Sequence, residues 1–227
     1  WGLPLLIATM LWAELVCRVR PSSMQQHTLK TPMLPLLKQH KARMVTLFYL
    51  FRVAGAWLLI VWLSTLLRDR GMPLVEAGLV LSVATAFQIP AALLSDIFSR
   101  WAGGMDKLII FAVLASIAAC WGLLEAPLHF WLVFAIMLGA GLGCIFSIGM
   151  TLIVESEPDE AGTVALSGMA QGIGFTCGGL LAWVAGMCMQ WQHRDLWMGS
   201  IYTLLALSGL VCGLQALRKQ TINEKNA

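Results

Sequence analysis

Arg52 is the residue in this chain best placed to do chemistry. It lies about eight residues into an apolar run, roughly 12 Å from the nearer boundary at 1.5 Å per residue. A guanidinium held that deep in an apolar layer is costly, and it faces a bundle interior or an aqueous cavity. Its neighbours three and four residues away are Phe48, Tyr49, Gly55 and Ala56. On a helix these share its face, and the small ones leave space beside the charge. An anionic or dipolar solute would accept hydrogen bonds from its fork of donors. The competing readings are that Arg52 snorkels to the interface or pairs with a carboxylate such as Glu14 or Asp96.

Gln88 and Gln171 are the other polar groups within long apolar stretches. Each offers a donor and an acceptor, either to a small solute or to a neighbouring helix. Gln88 is followed by Ile89-Pro90, and Pro90 frees a carbonyl and can kink a helix beside a cavity. Tyr49, Arg52, Gln88 and Gln171 are the candidate binding residues. Glu14, Glu76 and Asp96 fall near the ends of apolar runs and read as interfacial. Glycines cluster at Gly139, Gly141 and Gly143, and again at Gly168, Gly172 and Gly174, in small-xxx-small rows that let helices approach closely or rock.

Catalytic and cofactor chemistry has no foothold in these residues. HExxH, GxSxG and GxxxxGK[ST] do not occur. The six cysteines (Cys17, Cys120, Cys144, Cys177, Cys188 and Cys212) have no CxxC or metal-ligand spacing and read as small hydrophobes. The expectation is a non-enzyme without metal or cofactor. No basic, aromatic-interleaved face suggests nucleic acid.

The elements that must position these residues follow from composition. With 59% hydrophobic and 12% charged residues and a mean hydropathy of +0.78, the chain cannot present a polar surface to water. In hydrocarbon every backbone amide must be bonded internally, and long apolar runs without period-two alternation favour helices over a barrel. Runs at 1–17, 44–67, 73–97, 108–124, 129–153, 163–189 and 196–217 predict an all-α bundle of about seven transmembrane helices. Between the first two lies a stretch, 18–43, with Arg18, Arg20, Lys30, Lys38, Lys41 and Arg43, three prolines and no acid. The positive-inside rule puts this linker in the cytoplasm, with loops 98–107 and 154–162 and the tail 218–227. Eleven of the fifteen lysines and arginines then lie inside and three outside, the last being Arg52 itself.

The order of local motifs resembles that of the cyanate transporter family of the major facilitator superfamily. Trp62-Leu63-Ser64-Thr65-Leu66-Leu67, Glu76-Ala77-Gly78-Leu79 and Leu81-Ser82 are similar to the family's seventh-to-eighth helix region. Gly141-Leu142-Gly143, Phe146 and Thr151-Leu152-Ile153 look like its tenth helix, and the run Ser167–Phe175 like its eleventh. The resemblance implies that 1–17 ends the N-terminal half, 18–43 is the central linker and 44–217 is the C-terminal six-helix half. It implies a secondary transporter that moves a small solute, cyanate-like or nitroimidazole-like, by alternating access in a bacterial inner membrane. It also implies an N-terminal six-helix half as partner. Relatives often carry glutamine at the position of Arg52 and tyrosine at that of Trp57. A seven-helix receptor or sensor, and a noncatalytic assembly subunit, are the alternatives to a transporter.

Overall fold

A computed structural model describes residues 10, 11, 14, 38–157, 160–188 and 193–225. The chain divides into two compact units, Trp1–Thr31 and Pro32–Ala227. The run expected to span at 1–17 lies outside the described residues, apart from Met10, Leu11 and Glu14.

The second unit contains α1 (His40–Asp69), α2 (Leu74–Leu93), α3 (Ser95–Ala102), α4 (Met105–Glu125), α5 (Trp131–Val154), α6 (Glu160–Cys188) and α7 (Arg194–Lys225), with a 3₁₀ turn, Leu128–Phe130, leading into α5. Six of these helices are long and apolar enough to cross a membrane. Each is apolar around most of its circumference, as a helix surrounded by lipid and other helices should be. The short α3 is the exception. It puts Asp96 and Arg100 among Ile97, Phe98 and Trp101, the mixture expected of a helix lying at an interface.

Two boundaries differ from the sequence expectation, each for a local reason. The run read as one span at 73–97 stops at Leu93, because Asp96, Ser99 and Arg100 draw the chain out of the apolar layer into α3. The expected loop 98–107 is therefore mostly helical and turns at Gly103 and Gly104 (φ +83° and +133°), a conformation that favours glycine. Gly103 N–H bonds to the Ser99 and Arg100 carbonyls and closes the end of α3. At the other end of the chain, α7 continues as helix through most of the region expected to be tail.

Packing partners repeat in a pattern. α1 packs on α6 as α5 packs on α2, α1 packs on α7 as α5 packs on α4, and α4 meets α7. Along the chain the six long helices thus form two equivalent three-helix sets, α1-α2-α4 and α5-α6-α7, in which α1 and α5 take corresponding places and each packs on helices of the other set. The apolar core runs along α1, from Val45 and Phe48 to Leu66 and Leu67.

Polar groups at the helix ends complement the helix dipoles. Glu76, Asp106, Glu160 and Asp195 fall in first turns. Lys41 Nζ donates to the Glu155 carbonyl at 2.9 Å, closing the end of α5. Arg70 donates to the carbonyls of Leu123 and Ala126 at the end of α4. Arg194 pairs with Asp69 at 3.1 Å and ties the start of α7 to the end of α1. Within the spans, Thr46, Ser82, Thr85, Thr151 and Thr203 hydroxyls donate to the carbonyl four residues earlier, so these hydroxyls are satisfied without water.

Candidate functional site

Close approach of α1, α5 and α6 builds the surroundings of Arg52. Glycines make that approach possible. A Cβ on Gly149 of α5 would lie 3.2 Å from the Phe48 ring and 3.9 Å from Arg52 Cδ. One on Gly174 of α6 would lie 3.0 Å from the Tyr49 ring. Tyr49 is buried in the slot these glycines leave. The Arg52 guanidinium carbon sits 4.6 Å from the Tyr49 ring centroid and 4.9 Å from that of Phe146 on α5. Both distances are within cation–π range.

Arg52 makes no ion pair among the described residues, and its buried Nε has no hydrogen-bond partner. The carboxylate of Asp96, weighed as a counter-ion, is on the exposed α3. What holds the guanidinium is aromatic, not anionic. The rings engage the charge through their faces, and the buried Nε keeps an unused donor.

The other candidate residues lie on the helices flanking α1 and α5. Gln88 is half-buried on α2, where its carbonyl oxygen would be 2.3 Å from a Cβ on Gly143 of α5. Pro90 lies one residue-pair further along α2, exposed and inside the helix. Gln171 is half-buried on α6, and its Nε2 donates to Ser167 Oγ at 2.8 Å. No hydrogen bond among the described residues joins Arg52, Gln88 and Gln171. Two features escaped sequence reasoning as site elements. Phe146 is the second ring on Arg52, and its only signal was membership of the tenth-helix motif. The Ser95–Ser147 hydroxyl pair at 2.7 Å pins the junction of α2 and α3 to α5.

The glycine cluster on α5 serves two partners from one turn. A Cβ on Gly139 would fall 2.1 Å from the Ala84 carbonyl oxygen of α2, while one on Gly141 would fall 2.8 Å from that of Ala112 on α4. Gly139 and Gly143 thus face α2 and Gly141 faces α4, the geometry of helices in backbone contact. On α6, Gly168 and Gly172 are exposed, and nothing in the chain lies within 4 Å of a Cβ on Gly172. No group of three or more His, Cys, Asp or Glu side chains suited to a metal ion occurs among the described residues.

Six apolar membrane-length helices around an embedded core define a polytopic integral membrane protein. The chain belongs to the Major Facilitator Superfamily, which matches residues 1–187. It is similar to the cyanate transport protein CynX of Escherichia coli (strain K12), 26% identical over 187 residues, covering 82% of this chain and 48% of that protein. It is likewise similar to the uncharacterized transporter YycB of Bacillus subtilis (strain 168), 26% identical over 210 residues, covering 91% of this chain and 50% of that protein. The chain therefore spans about half the length of the curated relatives it matches. Both relatives are transporters by name, in keeping with the motif resemblance.

Proposed function

We propose that residues 44–217 form the C-terminal half of a secondary transporter that moves a small anionic or strongly dipolar solute by alternating access. In this reading 1–17 ends the N-terminal half, 18–43 links the halves in the cytoplasm, and 218–227 is a cytoplasmic tail. The protein lies in a bacterial inner membrane, and an N-terminal six-helix half completes the pathway. Arg52 attracts the solute, Tyr49 and Phe146 hold the guanidinium, and Gln88 and Gln171 contribute from the flanking helices. Pro90 and the glycines of α5 and α6 allow the helices to shift. The similarity to a cyanate transport protein favours a small linear or planar solute with delocalised charge.

One observation carries the reading: a guanidinium within a membrane-length helix, close to two aromatic rings and with no ion-pair partner among the described residues. A structural arginine would be expected to meet a carboxylate or reach the interface. The test is uptake of cyanate and of related small anions into vesicles containing the complete gene product. Arg52→Gln should raise the half-saturating concentration about tenfold or more, the worth of one charge-assisted hydrogen bond, without lowering membrane abundance. Wild-type uptake by Arg52→Gln would refute the role of Arg52. For orientation, a reporter fused after Gln220 should read as cytoplasmic, and an extracytoplasmic signal would reverse the assignment.

A further inference from the structure

A second feature is lined by residues other than those around Arg52. α3, α4 and α5 enclose a groove of ≈ 480 Å³. Its walls are apolar, with Trp101 and Phe111 standing largely exposed (80% and 73%) on either side. The floor is made of small residues, among them Ala115, Ala140 and Gly141. That floor is closed, because α4 and α5 are in backbone contact at Gly141, where a Cβ would lie 2.8 Å from the Ala112 carbonyl oxygen. The groove is therefore a notch in the surface and not a branch of a path through the bundle. Of its two polar side-chain groups, the Cys144 thiol is turned to the Ala91 carbonyl at 3.8 Å, which leaves only the Trp101 indole N–H.

We propose that this groove seats one acyl chain of a glycerophospholipid, with the lipid phosphate at Lys107 and Arg100. Three observations converge on that occupant. The groove follows α4 from Leu108 to Ala115, about 12 Å from Lys107 at 1.5 Å per residue. That depth fits within one leaflet of a hydrocarbon core about 30 Å thick. Lys107 and Arg100 are exposed at its polar end, and their side chains make no ion pair or hydrogen bond among the described residues. The face of α4 that continues from the groove, Ile110, Phe111 and Leu114, is wholly apolar and exposed. An extended peptide would bring backbone amides that the groove cannot satisfy, and a hydrated metabolite would find almost no hydrogen bonds there. A hydrocarbon chain needs neither.

The test uses the complete gene product in vesicles of equal parts phosphatidylethanolamine and phosphatidylglycerol. A trace of phosphatidylglycerol bearing a photoactivatable acyl chain is added, and adducts are mapped by mass spectrometry. Adducts should concentrate on the peptides carrying Phe111, Ala115 and Met137, well above those on the exposed face of α7 around Leu204 and Leu207. Ala115→Leu with Ala140→Leu should lower groove labelling about tenfold, the loss expected from excluding two or so buried methylenes, and leave α7 labelling unchanged. Lys107→Gln with Arg100→Gln should lower labelling by the phospholipid probe but not by a diacylglycerol probe lacking phosphate. Labelling spread evenly over α4 and α7 in the wild type would overturn the proposal, and that comparison needs no variant. Equal labelling of wild type and filled variant would also overturn it. Labelling by diacylglycerol as strong as by phospholipid in the wild type would refute the phosphate contact.

Discussion

Replacing Gly143 by alanine should destabilise the bundle, while the same change at Gly172 should not. A Cβ at Gly143 would sit 2.3 Å from the Gln88 carbonyl oxygen, whereas ordinary contact begins near 3.4 Å, so α2 and α5 must part by about 1 Å. The opposing atom is backbone and cannot rotate away. Overpacking of this kind costs about 1–3 kcal/mol, and replacing a helical glycine by alanine returns about 0.5–1 kcal/mol. The balance for Gly143→Ala is a loss of up to about 2.5 kcal/mol, or an apparent Tm lower by up to about 10 °C at 2–4 °C per kcal/mol for a chain of this size. Gly172→Ala keeps only the helical gain, because nothing lies within 4 Å of its Cβ, and its apparent Tm should hold or rise by up to about 4 °C. The assay is the monodisperse fraction of the detergent-purified chain after heating, read by fluorescence-detected size-exclusion chromatography. Gly143→Ala at or above wild-type stability, or both variants moving in the same direction, would refute the backbone contact between α2 and α5.

Other expectations follow from the helix ends and the cysteines. Arg70→Met should cost about 1.5–3 kcal/mol, because two carbonyls at the end of α4 lose a charged donor, and thermal unfolding in detergent would measure it. Arg194→Ala should cost at most about 1 kcal/mol, since its ion pair with Asp69 is partly exposed, and the difference from wild type should shrink in high salt. Cys177 is exposed and Cys120 is buried, so in detergent maleimide should modify Cys177 before Cys120, which it should reach only after denaturation, as peptide mass mapping would show.

Much of the fold was legible because the bilayer leaves few choices. Apolar runs of spanning length had to become helices, and six of the expected spans do so. The boundaries near Leu94 and after Arg218 were less legible, because hydropathy falls gradually there while backbone hydrogen bonding continues. Glycine spacing pointed to close helix contacts but not to partners. Gly139 and Gly141 differ by only two residues yet face α2 and α4, since two residues turn a helix by about 200°. Around Arg52, residues on the same helix could be read off by periodicity, which found Tyr49. Phe146 lies 94 positions away on α5, and no local pattern announces a ring that reaches a charge across a helix interface.

The aromatic setting of Arg52 bears directly on what the residue can do. Placing an arginine at the centre of a membrane helix costs about 2.5–3.5 kcal/mol on insertion scales. Two ring contacts at 4.6 and 4.9 Å, each worth about 0.5–2 kcal/mol, return an amount of the same size. The rings can therefore hold the ion in the membrane without a carboxylate, which would neutralise it and occupy its donors. In the proposed transporter this division of labour separates two variants. Tyr49→Phe keeps both rings and should leave membrane abundance unchanged. Phe146→Leu removes one ring, so it should lower folded yield and weaken uptake together, by about 0.5–2 kcal/mol in each. If Phe146→Leu matches wild type in detergent-extracted yield and in vesicle uptake, the charge is compensated elsewhere, and the aromatic account of Arg52 fails.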